Sequence, residues 1–157
     1  MGNSGGSVTT RYSGDLHPLM REAGFSDVDD SRAVGEGWQV AGFAHAGGDA
    51  LETLVRATGA PAIVVSFFDS DVGFVRALAP DGTGWKGLLN RETAEGYEIP
   101  LERFPVEPAV TGALAWAVAA GLTPDEEAVR ETFVASAVFA EDLAVDLLAA
   151  LGIPDAQ

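Results

Sequence analysis

The sequence predicts an α+β protein. An antiparallel β-meander over about residues 62–89, to which a strand at 38–44 can add, packs against C-terminal helices. Three observations predict it. Residues 62–68 (AIVVSFF) and 72–79 (VGFVRALA) are rich in β-branched and aromatic residues and are parted only by Asp69-Ser70-Asp71. Pro80-Asp81-Gly82-Thr83 then combines the residues that favour turns, and a weaker strand at 84–89 follows it. Strands joined by such short turns pair antiparallel. From Pro108 onward the chain reads as helices, and strands followed by helices make an α+β order, not a doubly wound one.

The elements are justified in order as follows. Residues 1–10 (MGNSGGSVTT) are too poor in apolar side chains to order themselves and are expected to be frayed, leaving 11–157 as a single α+β domain. Asp15 can cap a short helix through Leu16, Leu19 and Met20 that ends at Gly24. Residues 26–37 are polar and broken by glycine, and read as a loop. After the strand at 38–44, Asp49 and Glu52 have the spacing of a capping box, and Leu51, Leu54, Val55 and Thr58 share one face of the helix they open. Gly59 and Pro61 stop it. Asn90 reads as the cap of a short turn of helix ending at Gly96, and 97–107 as an extended connection with two prolines. Residues 108–120 form a helix terminated by Gly121. Thr123-Pro124-Asp125-Glu126 then carries a threonine cap, a proline at the first helical position and a glutamate three residues on. That helix runs to about Ser136, and a last one covers 141–151. The stretch 113–120 (ALAWAVAA) is apolar on every side, which predicts a helix buried all round with Trp116 against the sheet. A monomer is the favoured state; a homodimer in which a second copy covers one helix face is the alternative.

Charge is the strongest global signal. The 157 residues hold 24 Asp and Glu against 9 Lys and Arg, a net charge of −15, and Lys86 is the only lysine. Beyond residue 104, Arg130 is the sole cation among nine carboxylates. Such a field repels nucleic acid and anionic membranes and attracts basic partners, although solubility alone would also account for it. Without cysteine the chain forms no disulfide and offers no thiolate, which suits a cytoplasmic setting. The uncharged run 108–122 falls short of the ~20 residues that span a bilayer. The alanine-rich, lysine-poor composition points to a bacterial genome of high GC content.

Catalytic signals are sparse. The two histidines, His17 and His45, accompany no G-x-S-x-G elbow. His45-Ala46-Gly47-Gly48-Asp49 leads into a helix N-terminus that could take an anion, but no G-K-[ST] follows and Asp49 would repel phosphate. Asp69 and Asp71 at the hairpin tip could hold a hard cation, yet aspartate is also a good turn residue, and the meander sends Asp81 to the opposite end. Asp125, Glu126 and Glu127 open one helix, and Glu141 and Asp142 the next, where the helix dipole favours negative charge. Trp85, between Gly84 and the Lys86-Gly87 pair, has little local shielding and could anchor an interface. No cofactor and no tightly bound metal are expected. The sequence therefore favours a non-enzymatic acidic binding protein, in its concrete form an immunity- or antitoxin-like inhibitor of a basic protein partner. Asp69, Asp71, Trp85, Asp125, Glu126, Glu127, Glu141 and Asp142 are its candidate contacts. The alternatives are a small metal-assisted enzyme using Asp69 and Asp71, and a structural or regulatory domain whose charge serves solubility only.

Overall fold

The computed structural model describes residues 4–154. Its elements run β1 (Gly6–Thr10), α1 (Leu16–Ala23), β2 (Phe25–Ser26), β3 (Arg32–Gly35), β4 (Trp38–Phe43), β5 (His45–Ala46), α2 (Ala50–Thr58), β6 (Ala62–Phe68), β7 (Val72–Leu78) and β8 (Gly84–Leu89), then α3 (Arg91–Gly96), a 3₁₀ turn (Leu101–Arg103), α4 (Val106–Ala119), α5 (Glu126–Val134) and α6 (Ala140–Leu151). Six strands form an antiparallel sheet in the order β3-β4-β1-β6-β7-β8, and β2 pairs with β5 alongside it. The expected α+β architecture is present, with its meander at β6–β7–β8 and its C-terminal helices.

Helices cover both faces of the sheet, which is why β6 reads as a nearly continuous apolar run and lacks a clean alternation. On one face Val8, Phe43 and Val64 meet Leu16, Met20, Leu51 and Leu54 of α1 and α2. On the other, Ile63, Val65, Val75 and Leu89 meet α4, α5 and α6. Trp116 is completely buried there and packs edge-on against Trp38, with ring centroids 6.3 Å apart. Two glycines let the helices press close. A Cβ on Gly112 of α4 would lie 2.5 Å from Trp85 Cβ, and one on Gly87 of β8 would lie 2.7 Å from the Phe133 ring of α5.

Several expectations are corrected. Residues 1–10 are not a frayed tail throughout. Residues 1–3 lie outside the described residues, but Gly6–Thr10 is β1, an inner strand bonded to β4 on one side and β6 on the other. Val8, Thr9 and Thr10 supply β-branched side chains, and the neighbouring strands supply backbone partners that a local reading cannot see. Residues 26–37 are not simply a loop, since they hold β3 and the end of β2. Asp49 makes no side-chain cap, and Glu52 reaches instead to Arg76 on β7 at 2.6 Å. Asp15 makes no side-chain cap either. Thr123 does not start a helix. The cap is Asp125, whose carboxylate accepts from Ala128 N–H at 3.1 Å, because the preceding residues are pinned beside α6: Asp125 N–H donates to Ala150 O at 2.8 Å, and Thr123 abuts Gly152. Finally, α4 is not buried all round. Ala115, Val118 and Ala119 are exposed, Val118 by 68%, because the sheet and its sister helices cover only the Ala113–Trp116–Ala117 side.

Candidate functional site

The end of the sheet where β6 turns into β7 brings together residues from four separate stretches. The turn itself is tight: Asp71 N–H donates to Phe68 O at 2.9 Å, and its central residues, Asp69 and Ser70, both take positive φ, 52° and 60°. That is the backbone of a type I′ hairpin, which prefers asparagine or aspartate followed by glycine. A serine held there costs on the order of 1 kcal/mol, so contacts outside the hairpin must stabilise it. They come from the start of α6. The Ser70 carbonyl accepts from Ala140 N–H at 2.7 Å, and the Ser70 hydroxyl donates to Glu141 Oε2 at 2.6 Å. Glu141 Oε1 is shielded from solvent and has no hydrogen-bond partner.

Asn90 is the clamp. It is 1% exposed, and with φ 66° it holds a left-handed backbone that asparagine tolerates well. Its side-chain amide donates to Asp71 O at 2.6 Å and to Ala137 O at 2.9 Å, while its Oδ1 accepts from Ala137 N–H at 3.1 Å. One side chain thus ties the hairpin, the end of β8 and the α5–α6 loop together. It caps nothing through that side chain, contrary to the sequence expectation. Tyr97 adds a further tie, its hydroxyl donating to the Asp71 carboxylate. That bond keeps the phenol protonated to higher pH than usual.

The surface so assembled is partly apolar. On one flank of the turn, Phe68 and Tyr97 stack edge-to-face at 5.0 Å and are 45% and 44% exposed. On the other, the α5–α6 loop presents Val138 and Phe139, 80% and 55% exposed, the second directly before Ala140. Carboxylates accompany both pairs: Asp69 follows Phe68 and Asp71 bonds Tyr97, Glu141 and Asp142 follow Phe139 at the start of α6, and Glu92 of α3 accepts from Ser136 in the α5–α6 loop at 3.3 Å.

Of the residues singled out from sequence, four therefore converge here: Asp69, Asp71, Glu141 and Asp142. The acidic trio is elsewhere. Asp125, Glu126 and Glu127 open α5 beside the last turn of α6, so the length of α6, about 18 Å at 1.5 Å per residue, separates them from the hairpin tip. Glu126 pairs with Arg130 at 3.2 Å, and Arg130 also takes Glu107 of α4 through two bonds of 2.9 Å, which holds the Glu107 carboxyl below its usual range. Trp85 lies on β8, half-buried, with its ring perpendicular to Phe133 at 5.7 Å. Sequence reasoning missed Phe68, Asn90, Tyr97, Val138 and Phe139. The one local signal was Val138-Phe139, an apolar pair in a helix–helix connection immediately before two acids.

Other chemistry finds less support. Among the described residues, no three His, Cys, Asp or Glu side chains gather to hold a metal ion, and Asp81 is at the far end of β7 from Asp69 and Asp71. His17 bonds the Val28 carbonyl at 3.0 Å, and His45 is exposed on β5. Gly47 and Gly48 line a cleft of about 200 Å³ together with Val64, Ser66, Phe74 and Arg76, but the Arg76 guanidinium is already held by Glu52. Among the described residues, no helix is long and apolar enough to cross a membrane. Comparison with models of known families, with curated proteins and with solved structures finds no match.

Proposed function

We propose that this protein is a non-enzymatic binding module that docks a basic protein partner on the surface around the β6–β7 turn. The concrete form is an immunity- or antitoxin-like inhibitor that covers a cationic protein. The observation that carries the reading is the pair of exposed apolar patches, Phe68–Tyr97 and Val138–Phe139, set among carboxylates on a rigidly tied hairpin. Large exposed apolar side chains within a polar rim mark interaction surfaces, and aromatic residues dominate their energetics. The net charge of −15 accelerates encounter with a cation and discourages anionic competitors such as nucleic acid. The turn is pre-organised by its bonds to Asn90 and Glu141, so little ordering entropy is lost on docking.

The test is affinity capture of partners from lysate of the source organism, with three baits: the wild type, the double variant Val138→Ser/Phe139→Ser, and Glu127→Lys at the far end of the helices. The expected result is a basic protein retained by the wild type, weakened by salt, lost with the double variant and kept by Glu127→Lys. Retention of every captured protein by the double variant, or capture of none, would overturn the proposal.

A further inference from the structure

A second surface of opposite character lies along β8. In a chain this acidic the cations are few, nine in all, and four of them are held by carboxylates or backbone carbonyls. Arg76 and Arg130 pair with carboxylates, while Arg11 donates to Ala120 O, and Arg91 to Phe104 O and Leu101 O. Among the described residues, Lys86 and Arg103 have no carboxylate partner, and they line the same trough of about 400 Å³. No carboxylate lines it. The nearest acid in sequence on α4, Glu107, is turned to Arg130 and held there by two bonds.

The fold explains the trough. β8 is an edge strand of the sheet. Phe104 packs with Phe74 on one face, while α4 lies on the other, so the chain wraps the outer edge of β8 at Phe104–Pro105. Arg91 fixes that wrap through the Phe104 and Leu101 carbonyls. The space between the wrap and residues 84–86 is walled by Trp85, Phe104, Pro105 and Pro108, with the Lys86 ammonium 5.1 Å from the centre of the Phe104 ring. β8 has no strand neighbour on this side, and the two prolines in the wall donate no backbone hydrogen bond.

We infer that this trough binds an acidic, extended peptide segment of another protein. Its carboxylates face Lys86 and Arg103, and an apolar side chain enters between Trp85 and the two prolines. The charge sign decides the class of ligand: this is a cationic, aromatic and proline-walled groove on a molecule whose net charge is −15. The edge position decides its shape, since β8 has no strand neighbour on its outer side and an extended chain can run alongside it. The inference is independent of the hairpin-tip reading, and one protein could engage both surfaces by opposite charges.

The experiment screens the full chain against a phage-displayed library of random short peptides. Selected sequences are then measured as synthetic peptides by tryptophan fluorescence. Trp38 and Trp116 are buried, so Trp85 is the indole a ligand can reach. The expected result is selection of peptides in which Asp or Glu flanks an apolar residue, with binding that weakens in salt and falls at least about tenfold in Lys86→Glu and in Arg103→Glu. The milder pair Lys86→Gln/Arg103→Gln should show the same loss if a charge reversal impairs folding, and Val138→Ser/Phe139→Ser should bind as the wild type does. Selection of basic or uncharged sequences, selection of none, equal binding by the charge variants, or a response to benzoate but not to peptides would overturn it.

Discussion

The core beneath α4 and the hairpin tip beside α6 hold the same sheet to the same helical layer by different means. Beneath α4 the contacts are apolar: Trp116 meets Trp38, and alanines at 109, 113 and 117 let the helix approach. Its indole Nε1 is buried without a hydrogen-bond partner, so nothing polar directs that packing. At the tip, direction comes almost wholly from hydrogen bonds, three of them from Asn90 and two from Ser70. Apolar contact is non-directional and tolerates small shifts, whereas a buried polar clamp fixes one geometry and fails when a partner is lost. A surface meant to present Phe68, Tyr97, Val138 and Phe139 in fixed positions gains from the second kind.

The largest expected effect comes from breaking the apolar side of this contrast. Trp116→Ala should cost roughly 3–5 kcal/mol through the cavity it leaves, a large part of a typical total of ~5–15 kcal/mol. Because Trp116 is fully buried within one chain, the unfolding midpoint should not move with protein concentration. Chemical denaturation at two protein concentrations checks both statements. A midpoint that rises with concentration would transfer the apolar helix to a dimer interface. Trp116→Phe should cost distinctly less, since the lost N–H has no partner to leave behind.

Next comes the polar side. Asn90→Ala removes three hydrogen bonds and leaves the partly buried backbone groups of Ala137 and Asp71 to find others, which should cost about 2–3 kcal/mol. Asn90→Gly separates the causes, because glycine accepts the positive φ but restores no bond. If Asn90→Gly is as stable as wild type, the clamp is only a backbone requirement. Hydrogen exchange should show the added opening confined to the hairpin tip and the α5–α6 loop.

Val138→Ser/Phe139→Ser should not destabilise the fold: both side chains are exposed, and Phe139 is the N-cap of α6, where serine is a preferred residue worth about 1 kcal/mol. Its thermal midpoint should equal or exceed that of wild type while partner capture is lost. A strong destabilisation would mean that these residues complete the core and are no docking surface.

The smallest effect is electrostatic. Arg76 lowers the Glu52 carboxyl and Arg130 lowers that of Glu107, both below an ordinary value of 4.5. A depressed folded pKa stabilises above the unfolded value, and that contribution is lost as pH falls through the folded one. The difference in melting temperature between wild type and Glu107→Gln should therefore be present at neutral pH and vanish on acidification below about 4.5. Because the pair is exposed, added salt should shrink the difference. A difference that persists in acid would assign the role of Glu107 to packing and not to charge.

Local pattern made much of the fold legible. The run AIVVSFF, the turn at 80–83 and the glycine stops at 24, 59, 121 and 152 each act within a few residues, so β6, β7, β8 and most helices could be placed from sequence. The burial of Trp116 followed from an uncharged helix around it. Asp69, Asp71, Glu141 and Asp142 could be singled out as acids, but not as neighbours.

What only the tertiary structure decided were the contacts that join distant stretches. β1 hides in a glycine-rich start because its backbone partners are residues 39–43 and 62–66. Asn90 looks like a helix cap because its true partners, Asp71 and Ala137, are 19 and 47 residues away. Glu52 has the spacing of a capping box, yet a strand places Arg76 within its reach. In each case the local option was available to the residue. The backbone of an inner strand and the buried Asn90 amide need partners wherever the assembled sheet puts them, and the partly exposed Glu52 side chain takes the cation that folding brings close, so a tertiary partner displaced the one that sequence suggested.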